Sequence, residues 1–124
     1  MKNKVFFSVF QGYELDGLNH METWRKIKKL KPLLVNGKYS GKTELSFCLD
    51  LTRLDLVESI AREFNQESIL IVNQHGQAFL KYLKDSKLVN IGKFKAVSKK
   101  SASKLDAWSN INGQFYCVEK MKGI

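Results

Sequence analysis

Six residues near the start of the chain, Val5 to Phe10, are apolar on both sides of a strand: Val5, Phe7 and Val9 fall on one face, Phe6 and Phe10 on the other around Ser8. Successive strand side chains point to opposite faces, so this run predicts a central strand covered twice. Any fold adopted by the chain must supply two apolar layers against it.

One layer is expected to be helical. Asn19 followed three residues later by Glu22 makes an N-capping pattern for a helix to about Leu30, stopped by Pro32, with Met21, Trp24, Ile27 and Leu30 as its buried stripe. A second helix is expected after Thr52, read as its cap, with Asp55 three residues on and Leu51 placed to staple against Leu56. Leu56, Ile60 and Phe64, joined by Val57 and Ala61, give it an apolar face. Between the helices, Leu33 to Val35 reads as a short strand and Asn36-Gly37 as a turn pair. Glu44 to Leu51 then alternates cleanly, with Leu45, Phe47, Leu49 and Leu51 on one side and Glu44, Ser46, Cys48 and Asp50 on the other.

Further strands are expected at Ser68 to Asn73, Gln77 to Leu83 and Leu88 to Val97, the last carrying Gly92 in its middle. Lys99 to Lys104 reads as a serine- and lysine-rich loop, and Ala107 to Asn110 with Gln114 to Glu119 as a hairpin around Asn112-Gly113. The order strand, helix, strand, strand, helix, strand, then hairpins, predicts an α+β fold with a ferredoxin-like antiparallel sheet and both helices on one face. The opposite face needs its own cover. The C-terminal hairpins or a second copy of the chain would provide it, and an oligomer is the preferred expectation.

A length of 124 residues with 44 % hydrophobic content and one proline fits a single domain over residues 1–124. No window approaches a membrane span of about 20 apolar residues, and Val5 to Phe10 is too short for a signal-peptide core, so a cytoplasmic protein is expected. Cys48 and Cys117 form no CxxC pair, which predicts reduced, mostly buried thiols and no metal site. The charge of +9, from 21 basic and 12 acidic residues, favours anionic partners by long-range attraction. The lysines are scattered, however, and no nucleic-acid recognition motif accompanies them, so a solvated basic surface is the preferred reading.

Gly37 to Thr43 resembles a phosphate loop only superficially. Three residues instead of four separate its glycines, and the segment leads into a strand, so no helix N-terminus would meet a phosphate. His20 and His75 fall in different turns and suggest no cysteine-histidine pair. Trp24 lies on a buried stripe, while Trp108 begins a late strand and is left open. Tyr39 and Glu44 flank a strand tip, with Glu44 on the face turned away from the helices. From spacing alone they read as an edge aromatic and an ordinary charged strand end.

The series Val5 to Phe10, Asn19 to Leu30, Gly37-Lys-Tyr-Ser-Gly, Glu44 to Leu49, Phe64-Asn-Gln-Glu-Ser-Ile-Leu-Ile-Val and Gly92-Lys-Phe-Lys-Ala-Val resembles the phage-encoded S-adenosylmethionine lyases, formerly called hydrolases. The resemblance implies a PII-like homotrimer with active sites between subunits. It implies cleavage of S-adenosylmethionine to 5'-methylthioadenosine and L-homoserine lactone, which depletes the methyl donor of host restriction-modification systems, in the host cytoplasm and without any cofactor. It places the family's tyrosine on Tyr39, its glutamate on Glu44 and a glutamine on Gln66. Phe6, Phe10 and Ser8 are further candidate contacts. Two alternatives stand beside this reading: true hydrolysis with Glu44 as general base, and a non-enzymatic basic phage protein binding nucleic acid or a host protein.

Overall fold

In the computed structural model, residues 1–9, 21–39 and 41–119 are described, apart from the side chains of Met21 and Tyr39. Strands β1 (Lys4–Phe7), β2 (Leu33–Tyr39), β3 (Lys42–Asp50), β4 (Ser68–Val72), β5 (Gln77–Tyr82), β6 (Leu88–Val97), β7 (Trp108–Ile111) and β8 (Gln114–Glu119) form one closed antiparallel barrel. Around the barrel the order is β1-β3-β2-β7-β8-β6-β5-β4. Helices α1 (Met21–Leu30), α2 (Leu54–Glu63) and the short α3 (Lys99–Ala102) decorate it.

The ferredoxin-like, PII-like sheet with C-terminal hairpins as a separate cover is therefore not what forms. An open four-stranded sheet would leave β2 and β4 as unpaired edges, each a row of unsatisfied amides and carbonyls. Here β4 pairs with β5, and β2 pairs with β7 through Asn36 and Asn110, Gly37 and Ser109, and Lys38 and Trp108. The late strands join the sheet edge to edge and curl it shut. Closure also answers the demand made by the first strand, because its second cover is the far wall of the barrel.

Val5, Phe7 and Val9 point outward into a layer shared with Phe47 and Leu49 of β3, Ile69 and Ile71 of β4, Ile27 of α1, and Val57, Ile60 and Ala61 of α2. Trp24 joins this layer edge-on to Phe47, with ring centroids 6.0 Å apart. Phe6 points inward instead, into a barrel core with Val35, Cys48, Val72, Phe94 and Ile111. Its ring lies 5.3 Å from that of Phe94, which stacks in turn on Tyr116 at 5.1 Å. Cys48 is 2 % exposed, and burial pushes its thiol up to about 12. Cys117 is only half-buried, and both cysteines are free.

Several local expectations shift by a few residues. Asn36-Gly37 is not a turn: Gly37 lies inside β2 opposite Glu44, and the chain reverses at Gly41, whose φ is +81°. Asp50, not Thr52, takes the capping role, accepting from the Thr52 amide at 3.0 Å ahead of a 3-10 turn at Leu51–Arg53. The Lys99–Lys104 segment begins as α3, capped by the Ser98 hydroxyl, which accepts from the Ser101 amide. The hairpin at Asn112-Gly113 forms as expected, with φ of +52° and +88°. Asn19, the anticipated cap of α1, lies outside the described residues.

Candidate functional site

An eight-stranded barrel is just wide enough for side chains to fill it or for one small ligand to enter. Both conditions occur along this one. Where the inner residues are large, as at Phe6, Phe94 and Ile111, the bore is solid. Toward the other end the inward positions carry Ser8, Ser46 and Ser68, and a cavity of about 380 Å³ opens there, with exposed Ala107 at its edge. That is within the range of small-molecule sites.

Glu44 reaches this cavity because β3 alternates strictly: Phe47 and Leu49 must face the helix layer, which sends Glu44, Ser46 and Cys48 inward. Opposite Glu44 in the ladder sits Gly37, which brings no side chain of its own to that face. Ser8 is 7 % exposed, and its hydroxyl donates to the Leu45 carbonyl at 3.2 Å, tying the end of the first strand to β3 beside the carboxylate.

Gln66 is delivered by the way α2 ends. Asn65 adopts φ of +54°, its amide donates to the Arg62 carbonyl at 3.1 Å, and the Gln66 amide donates to the Ala61 carbonyl at 2.9 Å. This is a Schellman ending, and it turns the chain sharply off the helix toward the mouth of the barrel. The Gln66 side-chain nitrogen donates to the Phe64 carbonyl at 3.4 Å.

Of the residues proposed from sequence, Glu44, Gln66, Ser8 and Phe6 line this one cavity. The Tyr39 backbone pairs with Lys42 at the tip of the β2–β3 hairpin, but its side chain lies outside the described residues, as do Phe10 and His20. His75 sits exposed in the β4–β5 turn, away from the cavity. Trp108 packs edge-on against Phe115 at 5.1 Å and does not line it. Glu67, Ser46 and Ser68 are lining residues that the sequence reading passed over. The only signal for Glu67 was its place beside Gln66 ahead of a buried strand.

The electrostatic character of the cavity is opposite to that of the chain. Glu44 and Glu67 contribute carboxylates, Gln66 and three serines are neutral, and no lysine, arginine or histidine is among the described lining residues. Phe6, Leu70, Leu80, Ile91 and Val118 supply an apolar wall. Among the described residues no three histidine, cysteine or acidic side chains converge as a metal site. No described helix is long and apolar enough to cross a membrane.

A closed barrel whose cavity sets carboxylates against an apolar wall has the chemistry to hold a small organic cation. The chain belongs to the S-adenosylmethionine lyase family, whose sequence profile matches residues 14–119. It is thus an S-adenosylmethionine lyase enzyme with that sulfonium compound as its small-molecule substrate. A search of curated proteins finds no match.

Proposed function

We propose that the chain cleaves S-adenosylmethionine to 5'-methylthioadenosine and L-homoserine lactone by attack of the substrate's own carboxylate on its γ-carbon. The observation that carries this reading is the acidic cavity, free of basic side chains among its described lining, inside a chain of net charge +9. A sulfonium leaves as a neutral thioether and needs no proton, so no general acid is required. As the carboxylate oxygen bonds to the γ-carbon, the carbon–sulfur bond breaks and its electron pair returns to sulfur. Holding the chain folded for that closure lowers the barrier by up to about 7–11 kcal/mol in well-oriented intramolecular reactions. Opposite charges are consumed in the step, so exclusion of water favours it further.

In this reading Glu44 pairs with the cationic part of the substrate. A charge pair in a partly buried site is worth several times its value in water. Gln66 and Ser8 supply polar contacts and Phe6 an apolar one, with Tyr39 and Phe10 as further substrate contacts. Residues 1–124 act as one domain, without a cofactor and in the cytoplasm. The assembly is a homotrimer. Its support is the outer wall of β2 and β7, which contributes no described residue to the layer under α1 and α2 and carries Leu34 at 57 % exposure. Sites lie where barrel mouths meet neighbouring subunits, and light scattering at a trimer mass tests this. Depletion of the methyl donor would serve a phage against host restriction-modification.

Oxygen-labelled water tests the chemistry. The lyase gives unlabelled lactone early in the reaction, whereas hydrolysis with Glu44 as general base puts label on the γ-hydroxyl of homoserine and would overturn the reading.

A further inference from the structure

Strand β6 contains one residue more than its partner β5 can match. Gln77 pairs with Lys93 and Ala78 with Gly92, but Phe79 then pairs with Asn90 and Leu80 with Val89, which leaves Ile91 without a partner across the ladder. This is a β-bulge, and it changes which way the strand faces. With strict alternation Gly92 would point inward, Ile91 outward and Asn90 into the bore. Across the bulge the order is reset: Asn90 is exposed, and Ile91 joins the barrel core and lines the cavity. Two features hold the bulge. Gly92 takes φ of +131°, a backbone region that other residues rarely adopt, and its amide donates to the Asn90 side-chain oxygen at 3.0 Å.

In the order of the closed sheet, β6 lies four strands from β3 in either direction, so it is the wall across the bore from Glu44. Leu80 and Val118, from the strands flanking β6, line the same cavity. The cavity is thus divided, with Glu44 on the β3 wall, Glu67 at the mouth ahead of β4, and aliphatic surface on the β5-β6-β8 wall.

We propose that Ile91 is a specificity-determining residue that seats the neutral part of the ligand, the thioether and nucleoside portion that departs as 5'-methylthioadenosine, while Asn90 is a positioning residue that holds the bulge. This rests on the lyase reading of the same cavity. Binding is then divided between two walls: Glu44 senses charge, and Ile91 senses apolar bulk.

The test is competitive inhibition by 5'-methylthioadenosine, measured on the full chain in wild type, Ile91→Ala, Ile91→Val and Asn90→Ala, with thermal unfolding recorded for each. Removing the Ile91 side chain beyond Cβ weakens inhibition roughly tenfold or more, in line with the discrimination a hydrophobic pocket achieves per methylene. Ile91→Val restores most of it. Asn90→Ala, on the outer surface, weakens it in the same direction by a smaller factor, and KM for S-adenosylmethionine rises more than kcat falls in each case. Folded Ile91→Ala with wild-type inhibition overturns the proposal, as does loss that Ile91→Val does not relieve. If wild type neither cleaves S-adenosylmethionine nor responds to 5'-methylthioadenosine, the lyase reading itself fails, and the two failures are told apart by that control.

Discussion

The two faces of β3 do opposite things with the same backbone. Its outward residues, Phe47 and Leu49, are locked among helix and strand side chains, while its inward residues, Glu44 and Ser46, border open space. The strand's outer face holds the fold together, and the rigidity it gains there fixes the direction of the carboxylate on its inner face. Stability and function are separable by substitution at neighbouring positions of one strand.

The sharpest break of that comparison is on the outer face. Phe47→Ala removes a ring packed against Trp24 and Phe7, and should cost about 3–5 kcal/mol in denaturant unfolding. Turnover per folded molecule should change little. Glu44→Gln should do the reverse, with an unchanged unfolding midpoint and a fall in kcat/KM of about 100-fold, or roughly 2.7 kcal/mol of transition-state stabilisation. Equal loss of stability in both variants would erase the distinction.

Much of this division was legible in the sequence. The alternation of Glu44 to Leu51 placed Glu44 on the face away from the helices, and the two-sided apolar run at Val5 to Phe10 demanded a second cover. Closure was not legible. The pairings that close the sheet, such as Gly37 with Ser109, join residues far apart in the chain, and local periodicity carries no information about them. Asn36-Gly37 has turn chemistry, yet barrel pairing on both sides of β2 holds it extended. Tertiary pairing overrode local propensity there. The bulge at Ile91 leaves one mark in the sequence, Gly92 inside a strand, but which residue is reset follows only from the register with β5. Gln66 came from the family resemblance, and its position follows physically from the Asn65 ending of α2.

A third prediction concerns the solid end of the bore. The Cys48 thiol is held neutral in the folded state, with a pKa raised from 9.0 to about 12, so the folded state binds a proton that the unfolded state releases. Its contribution is present below pH 9 and is lost as pH rises from about 9 toward 12, by about 1.4 kcal/mol per pH unit. Cys48→Val should lack that slope, so the difference between the two proteins' stability profiles shows it between about pH 9 and 12. A fourth, smaller effect is expected at the α2 ending. Asn65→Ala forces a side chain without Asn's local hydrogen bonding into positive φ, costing about 1 kcal/mol. Because Gln66 follows directly, KM should rise as well. Asn65→Gly should leave both unchanged.

Charge recognition by the inner face is tested most directly with two non-reacting ligands. Decarboxylated S-adenosylmethionine keeps the sulfonium and ammonium but lacks the attacking carboxylate, and 5'-methylthioadenosine carries neither charge. Wild type should be inhibited at least tenfold more strongly by the cation, and Glu44→Gln should lose that preference while its response to the neutral compound is retained. The same ratio in both proteins would contradict the account.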